Sequence, residues 1–352
     1  MAFQLTIEPL GETIEVEEGQ TVLDACLRQG IWLPHACGHG LCGTCKVEVL
    51  DGEIDHGGAS QFALMDFERD EGKTLACSCT LESDATIEAE IDEDEDSETI
   101  PVKDFTAKVA QINDLSPDIK GIWLEIEGDP IHFQAGQYIN LTVPGVDGAR
   151  AFSIATSPKD GSKIELHVRK VEGGKATTWL HETLKEGDTL TFAGPYGQFF
   201  TRRSRGGTKL FIGGGSGLSS PKSMVLDLLE NGWEEPIWLF QGARGVKDLY
   251  YRELFEELAA KHENFHYVPA LSQLDDGDDW QGECCFVHEA VERAFEGDFE
   301  GHTAYLCGPP LMIEATIRTL MKGRLFEEGI FTEKFLTSAD EEKIKSPVFR
   351  RI

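Results

Sequence analysis

Three cysteines, Cys37, Cys42 and Cys45, stand at C-x4-C-x2-C spacing in the stretch PHACGHGLCGTCKVEV, and a fourth, Cys77, follows in TLACSC. Thiolates at this spacing hold a plant-type [2Fe-2S] cluster: a glycine-rich loop wraps three sulfurs around the metal and a distant strand end adds the last. Gly38, Gly40 and Gly43 lie between the ligands. They open backbone conformations closed to other residues, so that amide N–H groups can turn toward sulfur. The competing chemistry is structural zinc or buried free thiols. A zinc ribbon uses two C-x2-C knuckles, and this chain offers one.

Three further stretches carry groups suited to nucleotides. Gly213, Gly214, Gly215, Ser216 and Gly217 follow the apolar run LFI and precede a helical pattern, where backbone N–H groups and the helix dipole can meet a pyrophosphate. GGGSG is not the G-x-G-x-x-G fingerprint, and alone it serves equally well as a tight structural turn. In RAFS, Arg150, Phe152 and Ser153 place a cation, an aromatic face and a hydroxyl on one short strand, a set suited to a phosphate and a flat ring. An ordinary strand with one exposed arginine is the simpler reading of RAFS by itself. In HVRKVEGGKATTWL, Gly174, Lys175, Ala176 and Thr177 open a helix whose N-terminus can hold an anion. Cys307, in CGPPLM, ends the last apolar strand; alone it would be an ordinary buried cysteine.

The elements that must position these residues fall into three patterns. FQLTIE and TIEVE alternate apolar and polar residues around Gly11, a hairpin signal. TVLDACLRQGI reads as a helix capped by Thr21 and closed by Gly30, with Cys26 in its core face. KVEVLDGEI, turning at Asp51-Gly52, and ATIEAEI add strands. Together they predict a small α+β unit of the β-grasp kind. From Phe105 to about Phe200, evenly spaced strands (FTAKVAQI, GIWLEIE, QYINLTV, KIELHVRKV, DTLTFAG) and one helix, TTWLHETLK, predict an antiparallel barrel. From Leu210, strand and helix alternate, which predicts a doubly wound parallel sheet with its ligand site beyond the carboxyl ends of the strands. The boundaries expected are 1–97, 98–205 and 206–352. The first falls in the acidic run IDEDEDSETIPV.

Length and composition agree with this plan. A chain of 352 residues predicts two or three domains. The net charge of −31 excludes nucleic acid as an expected partner, because phosphate binding needs a basic stripe. Residues 1–98 hold 24 acidic and 4 basic residues, net −20, against 39 and 28, net −11, for the rest, so the first third is expected to steer toward a basic surface or simply to aid solubility. An odd count of nine cysteines, several at cluster spacing, points to a reducing compartment. With no signal-like segment and no run of 18 apolar residues, the expectation is a cytoplasmic protein without a membrane span.

CGHGLCGTCKVEV, ARAFSIA, ELHVRKVEGG, GPYGQFF, GGGSGLSSPKSM, YLCGPPLMI and LFEEGIFTEKF occur here in one order over nearly the whole chain. In this the sequence resembles the ferredoxin-NADP+ reductase superfamily. Within it, the similarity is to the NADH-dependent iron-sulfur flavoreductases of bacterial multicomponent oxygenases, above all those of phenol hydroxylases, with toluene and soluble methane monooxygenase reductases behind. The resemblance implies a β-grasp [2Fe-2S] ferredoxin domain, an FAD-binding β-barrel and a doubly wound NAD-binding domain. It assigns the cluster to Cys37, Cys42, Cys45 and Cys77 rather than Cys79. Arg150 would meet an FAD phosphate, Phe152 would stack in place of a tyrosine, and Ser153 would lie near the flavin. His167, Val168 and Arg169 would line the flavin, and Thr177 stands where relatives have serine. Gly214, Gly215, Ser216 and Gly217 match the nicotinamide cofactor's phosphate loop, with Pro221 one residue later than the common form. Cys307, Gly308 and Pro309 match the hydride-transfer edge, and Glu333 and Phe335 the C-terminal acid-x-aromatic pair, although the chain continues beyond it. Arg244 and Asp248 fall near the expected ribose, and the acid there favours NADH over NADPH. The implied partner is a diiron hydroxylase, served by a monomeric reductase carrying electrons from NADH through FAD to [2Fe-2S]. Rival readings are a reductase of this fold serving a dioxygenase, a sugar dehydratase or a quinone, and a non-enzymatic iron-sulfur carrier or sensor.

Overall fold

The structure, a computed structural model, describes residues 2–35, 38, 40–91, 94–275 and 277–335. It divides into two compact units between Lys103 and Asp104. In the first, β1 (Ala2–Glu8) and β2 (Glu12–Glu17) form the expected hairpin, and α1 (Val22–Arg28) follows. The Thr21 side chain accepts the Asp24 N–H at 3.3 Å, which satisfies one of the free donors of the helix's first turn. Val22, Leu23, Ala25, Cys26 and Leu27 are buried. β3 (Lys46–Asp51), β5 (Lys73–Leu75) and β7 (Ala85–Glu88) complete a five-stranded sheet of order β2-β1-β7-β3-β5, while β4 (Ile54–Asp55) pairs with β6 (Thr80–Leu81). The parallel β1–β7 pair at the centre marks the β-grasp. Sequence reading missed β5 and the one-turn α2 (Asp66–Asp70) before it, both too short to show a period, and it ran the last strand past Glu88.

The second unit begins with β8 (Lys103–Ser116), β9 (Ile119–Ile126), β10 (Tyr138–Thr142), β11 (Arg150–Ser153), β12 (Lys163–Arg169) and β13 (Thr189–Tyr196), in the sheet order β11-β10-β13-β8-β9-β12. An antiparallel bridge from Ile154 to Leu166 closes this sheet into a barrel. Its interior is filled by Ile122, Leu124, Leu141, Ile164, Leu166 and Phe192, each almost fully buried and each worth roughly 1.5–3 kcal/mol in burial. The helix α3 (Lys175–Glu182) interrupts the strands, starting two residues earlier than its apolar pattern suggested.

The same unit continues with β14 (Lys209–Gly214), a short 3-10 turn, α4 (Ser219–Glu230), β15 (Ile237–Ala243), α5 (Arg252–Lys261), β16 (Phe265–Leu271), β17 (Glu283–Cys284), α6 (Val287–Ala294), β18 (Thr303–Gly308), α7 (Pro310–Lys322) and β19 (Ile330–Lys334). All pairs in this sheet are parallel, in the order β17-β16-β15-β14-β18-β19. Strand order reverses on either side of β14. The crevice between the carboxyl ends of β14 and β18 is therefore the topological switch point, where ligands of such sheets bind. Among the described residues no helix is long and apolar enough to cross a membrane.

Candidate functional site

At the cysteine loop, Gly38, Gly40 and Gly43 all take positive φ, and a Cβ on Gly40 or Gly43 would lie 3.2 Å from Ala59 Cα or Ala63 O. Close approach to the neighbouring 59–63 segment thus accompanies the left-handed backbone. The Gly40 N–H donates to Cys77 Sγ at 3.2 Å, so the distant fourth cysteine is already drawn to the loop by the kind of amide contact that a cluster thiolate needs. Cys45 and Cys77 are buried and Cys42 is exposed. Cys37 lies outside the described residues. The donor set and the amide cradle fit a [2Fe-2S] centre.

In the second unit the site is assembled around Glu333. The parallel register of β18 and β19 sets Cys307 beside Glu333. The carboxylate oxygen Oε2 of half-buried Glu333 accepts Ser153 Oγ from β11 at 3.0 Å and Ser220 Oγ from α4 at 2.9 Å, with Cys307 Sγ 3.6 Å away. Burial raises the Glu333 pKa above the ordinary carboxylate range, against the pull of the Ser220, Ser153 and Cys307 donors. Burial, with the Glu333 charge, likewise holds the Cys307 thiol well above its usual pKa, so it is protonated and is no nucleophile at neutral pH. Three residues singled out in sequence, Ser153, Cys307 and Glu333, therefore meet at one point. Ser220 joins them unannounced; the only hint was its place beside the displaced Pro221.

The glycine loop packs directly on this cluster. A Cβ on Gly217 would lie 2.4 Å from Gly308 Cα and 2.5 Å from the Cys307 carbonyl oxygen, and one on Gly214 would lie 2.4 Å from Met312 Sδ. Only glycine allows so close an approach of the two loops. Gly215 has φ +57 with open space beside it, and Ser216 is buried and accepts Ser219 Oγ on its carbonyl. Gly308 lies at φ +141 and Pro309 caps α7. The Phe335 N–H donates to the Gly308 carbonyl at 3.3 Å, which brings the aromatic to the same edge. A crevice walled by glycine at the end of β14 fits a dinucleotide.

The remaining predicted residues are placed as follows. Arg150 is exposed, its Nη1 donating to the Asp147, Gly148 and Ala149 carbonyls at 3.0–3.1 Å, and Phe152 packs against the barrel core. Val168 is buried in that core, while Arg169 pairs with Asp118 at 3.1 Å. Thr177 Oγ1 accepts the Val171 N–H at 3.1 Å and donates to the Gly174 carbonyl, which stiffens the turn that opens α3 through Lys175 and Ala176. Arg244 lies 3.8 Å from Asp118, Lys247 lies 3.2 Å from Asp275, and Asp248 Oδ2 accepts the Gly245 N–H at 3.0 Å.

His167 belongs to a buried network that sequence reading did not foresee. Lys222, on α4, donates to Glu165 Oε2 at 2.8 Å and to the Ala155 carbonyl at 2.9 Å, and Tyr251 Oη donates to Glu165 Oε1 at 2.5 Å. His167 Nε2 is 3.4 Å from Glu165, and Tyr250 bridges His167 Nδ1 at 3.2 Å and the Gly215 carbonyl at 2.8 Å. Burial works against the Glu165 charge, but the neighbouring His167 and Lys222 outweigh it and hold the carboxyl below its usual range; burial pushes the His167 pKa below its usual value, against the pull of Glu165. Together with Ser223 Oγ, which donates to the Thr156 carbonyl at 2.6 Å, these bonds stitch α4 to the barrel chain that carries Ser153. Helix α5 begins only at Arg252, because both preceding tyrosines are turned into this network, Tyr251 at φ 57.

A β-grasp cysteine loop, a closed barrel and a switch-point crevice on which both a barrel serine and a nicotinamide-domain cysteine converge define an iron-sulfur flavoreductase of the ferredoxin-NADP+ reductase type, and the chain belongs to that family. The 2Fe-2S iron-sulfur cluster binding domain family matches residues 5–82, the oxidoreductase FAD-binding domain family residues 106–200, and the oxidoreductase NAD-binding domain family residues 211–318. The protein is an oxidoreductase whose cofactors are [2Fe-2S], FAD and a nicotinamide dinucleotide. It is 58% identical, over all of both chains, to the phenol hydroxylase P5 protein of Acinetobacter pittii (strain PHEA-2), and equally to the phenol 2-monooxygenase reductase component of Pseudomonas sp. (strain CF600). Among solved structures it is similar to the Amycolatopsis reductase GcoB, with 36% identity and a TM-score of 0.85 over 95% of this chain and 98% of that one.

Proposed function

We propose that this chain is the NADH-dependent reductase component of a multicomponent phenol hydroxylase, passing electrons to the diiron hydroxylase of that system. The observation that carries this reading is identity of 58% over the full length of two phenol hydroxylase reductase components. When bound, the cofactors supply the hydride and one-electron chemistry, in the order NADH, FAD, [2Fe-2S]. The chain's own residues bind and orient them. Ser153, Cys307 and Glu333 align flavin and nicotinamide; Gly214, Gly215, Ser216 and Gly217 admit the pyrophosphate; Arg150, Phe152, His167, Val168, Arg169 and the turn from Gly174 to Thr177 hold FAD; Gly308, Pro309 and Phe335 complete the edge. Cys37, Cys42, Cys45 and Cys77 ligate the iron.

NADH is the favoured donor, because the two cations after β15, Arg244 and Lys247, already face Asp118 and Asp275 and leave a 2′-phosphate poorly served. The protein works as a cytoplasmic monomer with domains over 1–97, 98–205 and 206–352. Docking to the hydroxylase uses the cysteine-loop end of the acidic first unit, where the apolar side chains of Leu41 and Phe62 are 56% and 95% exposed.

Reconstitution tests the reading. The purified chain added to phenol hydroxylase oxygenase and effector should couple NADH oxidation to phenol hydroxylation, with a higher kcat/KM for NADH than for NADPH. NADH oxidation without hydroxylated product would overturn the partner, and an equal preference for NADPH would overturn the cofactor choice. A salt-independent KM for the hydroxylase would remove electrostatic docking alone.

A further inference from the structure

Ser220 stands on the first turn of α4, has no solvent exposure, and directly precedes Pro221. Proline is tolerated there because N–H groups in the first helical turn have no intrahelical acceptor to lose. The hydroxyl of Ser220 donates to Glu333 Oε2 at 2.9 Å, and the Cys307 thiol points at the same hydroxyl from 3.8 Å. Ser153, on β11 of the barrel, reaches the same carboxylate oxygen at 3.0 Å. Among the described residues no Lys, Arg or His pairs with Glu333. The titratable groups that face it are Cys307 on β18 and Tyr138 on β10, both of which burial holds in the protonated form. Lys222, the nearest cation in sequence to Ser220, points instead to Glu165.

We propose that Ser220 is a positioning residue of the hydride-transfer site, fixing the Glu333 carboxyl by holding Oε2 from the α4 side while Ser153 holds it from the barrel side. The inference rests on the hydride-transfer reading of Ser153, Cys307 and Glu333. Its chemistry is simple: with no cation among the described residues beside it, a carboxylate drawn out of water is stabilised chiefly by the two hydroxyls, with the more distant Cys307 thiol adding a weaker bond. Ser220 comes from the helix and Ser153 from the barrel, so both hydroxyls reach Oε2 only when α4 and the barrel are packed together.

The test uses Ser220→Ala, which removes the hydroxyl with almost no change of volume, and Ser220→Thr, which restores one. Glu333 is titrated by infrared difference spectroscopy against Glu333→Gln, in the protein with and without flavin, and kcat and KM for NADH with ferricyanide are followed against pH. Ser220→Ala should move the Glu333 midpoint up by about one pH unit, the size expected for losing a hydrogen bond to a charged acceptor. The kcat profile should move with it while KM changes less than about twofold, the pattern of an interaction that acts on the reaction rather than on ground-state binding; Ser220→Thr should return both. An unmoved infrared midpoint in Ser220→Ala overturns the positioning role and leaves the hydride-transfer reading intact. A moved midpoint with full NADH activity in Glu333→Gln would instead overturn that reading while leaving the Ser220–Glu333 coupling in place.

Discussion

The cysteine loop and the Glu333 cluster are both sites of four residues, but they are built in opposite ways. Three of the loop's four cysteines stand close together in one glycine-rich stretch of the sequence, and the backbone itself, through the Gly40 N–H, gathers the fourth. The Glu333 cluster draws Ser153, Ser220, Cys307 and Glu333 from four elements, its two ends 180 positions apart, and each bond crosses a packing boundary inside the second unit. A local site fails when a ligand is lost. An assembled site fails also when anything that holds its elements together is lost.

The sharpest way to break this comparison is Cys42→Ser. It should abolish the [2Fe-2S] visible spectrum and cytochrome c reduction, while ferricyanide reduction by NADH, which can draw on the flavin, stays largely intact; equal loss of both would mean the two sites are not separable. Next in size is Lys222→Met, which leaves Glu165 buried without its cation and should destabilise the second unit by about 3–5 kcal/mol in urea unfolding. Because Glu165 is held below the usual carboxylate range, its share of stability is full above about pH 4.3, the ordinary value, and is lost as pH falls below it. The wild-type second unit should therefore lose stability on acidification through that range, and Lys222→Met should lose less; a parallel acid profile for both would show that the pair contributes nothing.

Glu333→Gln should slow flavin reduction by NADH on the order of 10²-fold in stopped flow, the cost of misplacing one orienting group, with iron content unchanged. A rate within twofold of wild type would remove Glu333 from the site. The smallest expected effect is that of Gly217→Ala. Its Cβ would fall 2.4 Å from Gly308 Cα, and overpacking of this kind costs about 1–3 kcal/mol. Calorimetry should show the second unit melting earlier and kinetics a raised KM for NADH, while an unchanged KM would place the pyrophosphate elsewhere.

What could be read from the chain follows the same division. The α1 cap at Thr21, the strands of the barrel and the parallel alternation from Leu210 were legible because periodicity and capping are local properties. Short elements such as α2 and β5 were not, since five or three residues cannot show a period. Nothing local in the sequence sets Tyr250 and Tyr251 apart from the helix that follows, and only Glu165 and His167, more than eighty positions away, explain why they lie outside it.

The sequence by itself determined the presence of a [2Fe-2S] domain, the order of the three cofactor-binding regions and three of the four residues of the Glu333 cluster, since each is carried by a short motif with its own chemistry. Tertiary structure alone decided that Ser220 completes that cluster, that Gly217 must be bare to let two loops meet, and that Lys222 and Glu165 fasten helix to barrel. Those relations depend on which side chains face one another across separately folded elements. Neither spacing nor composition encodes that.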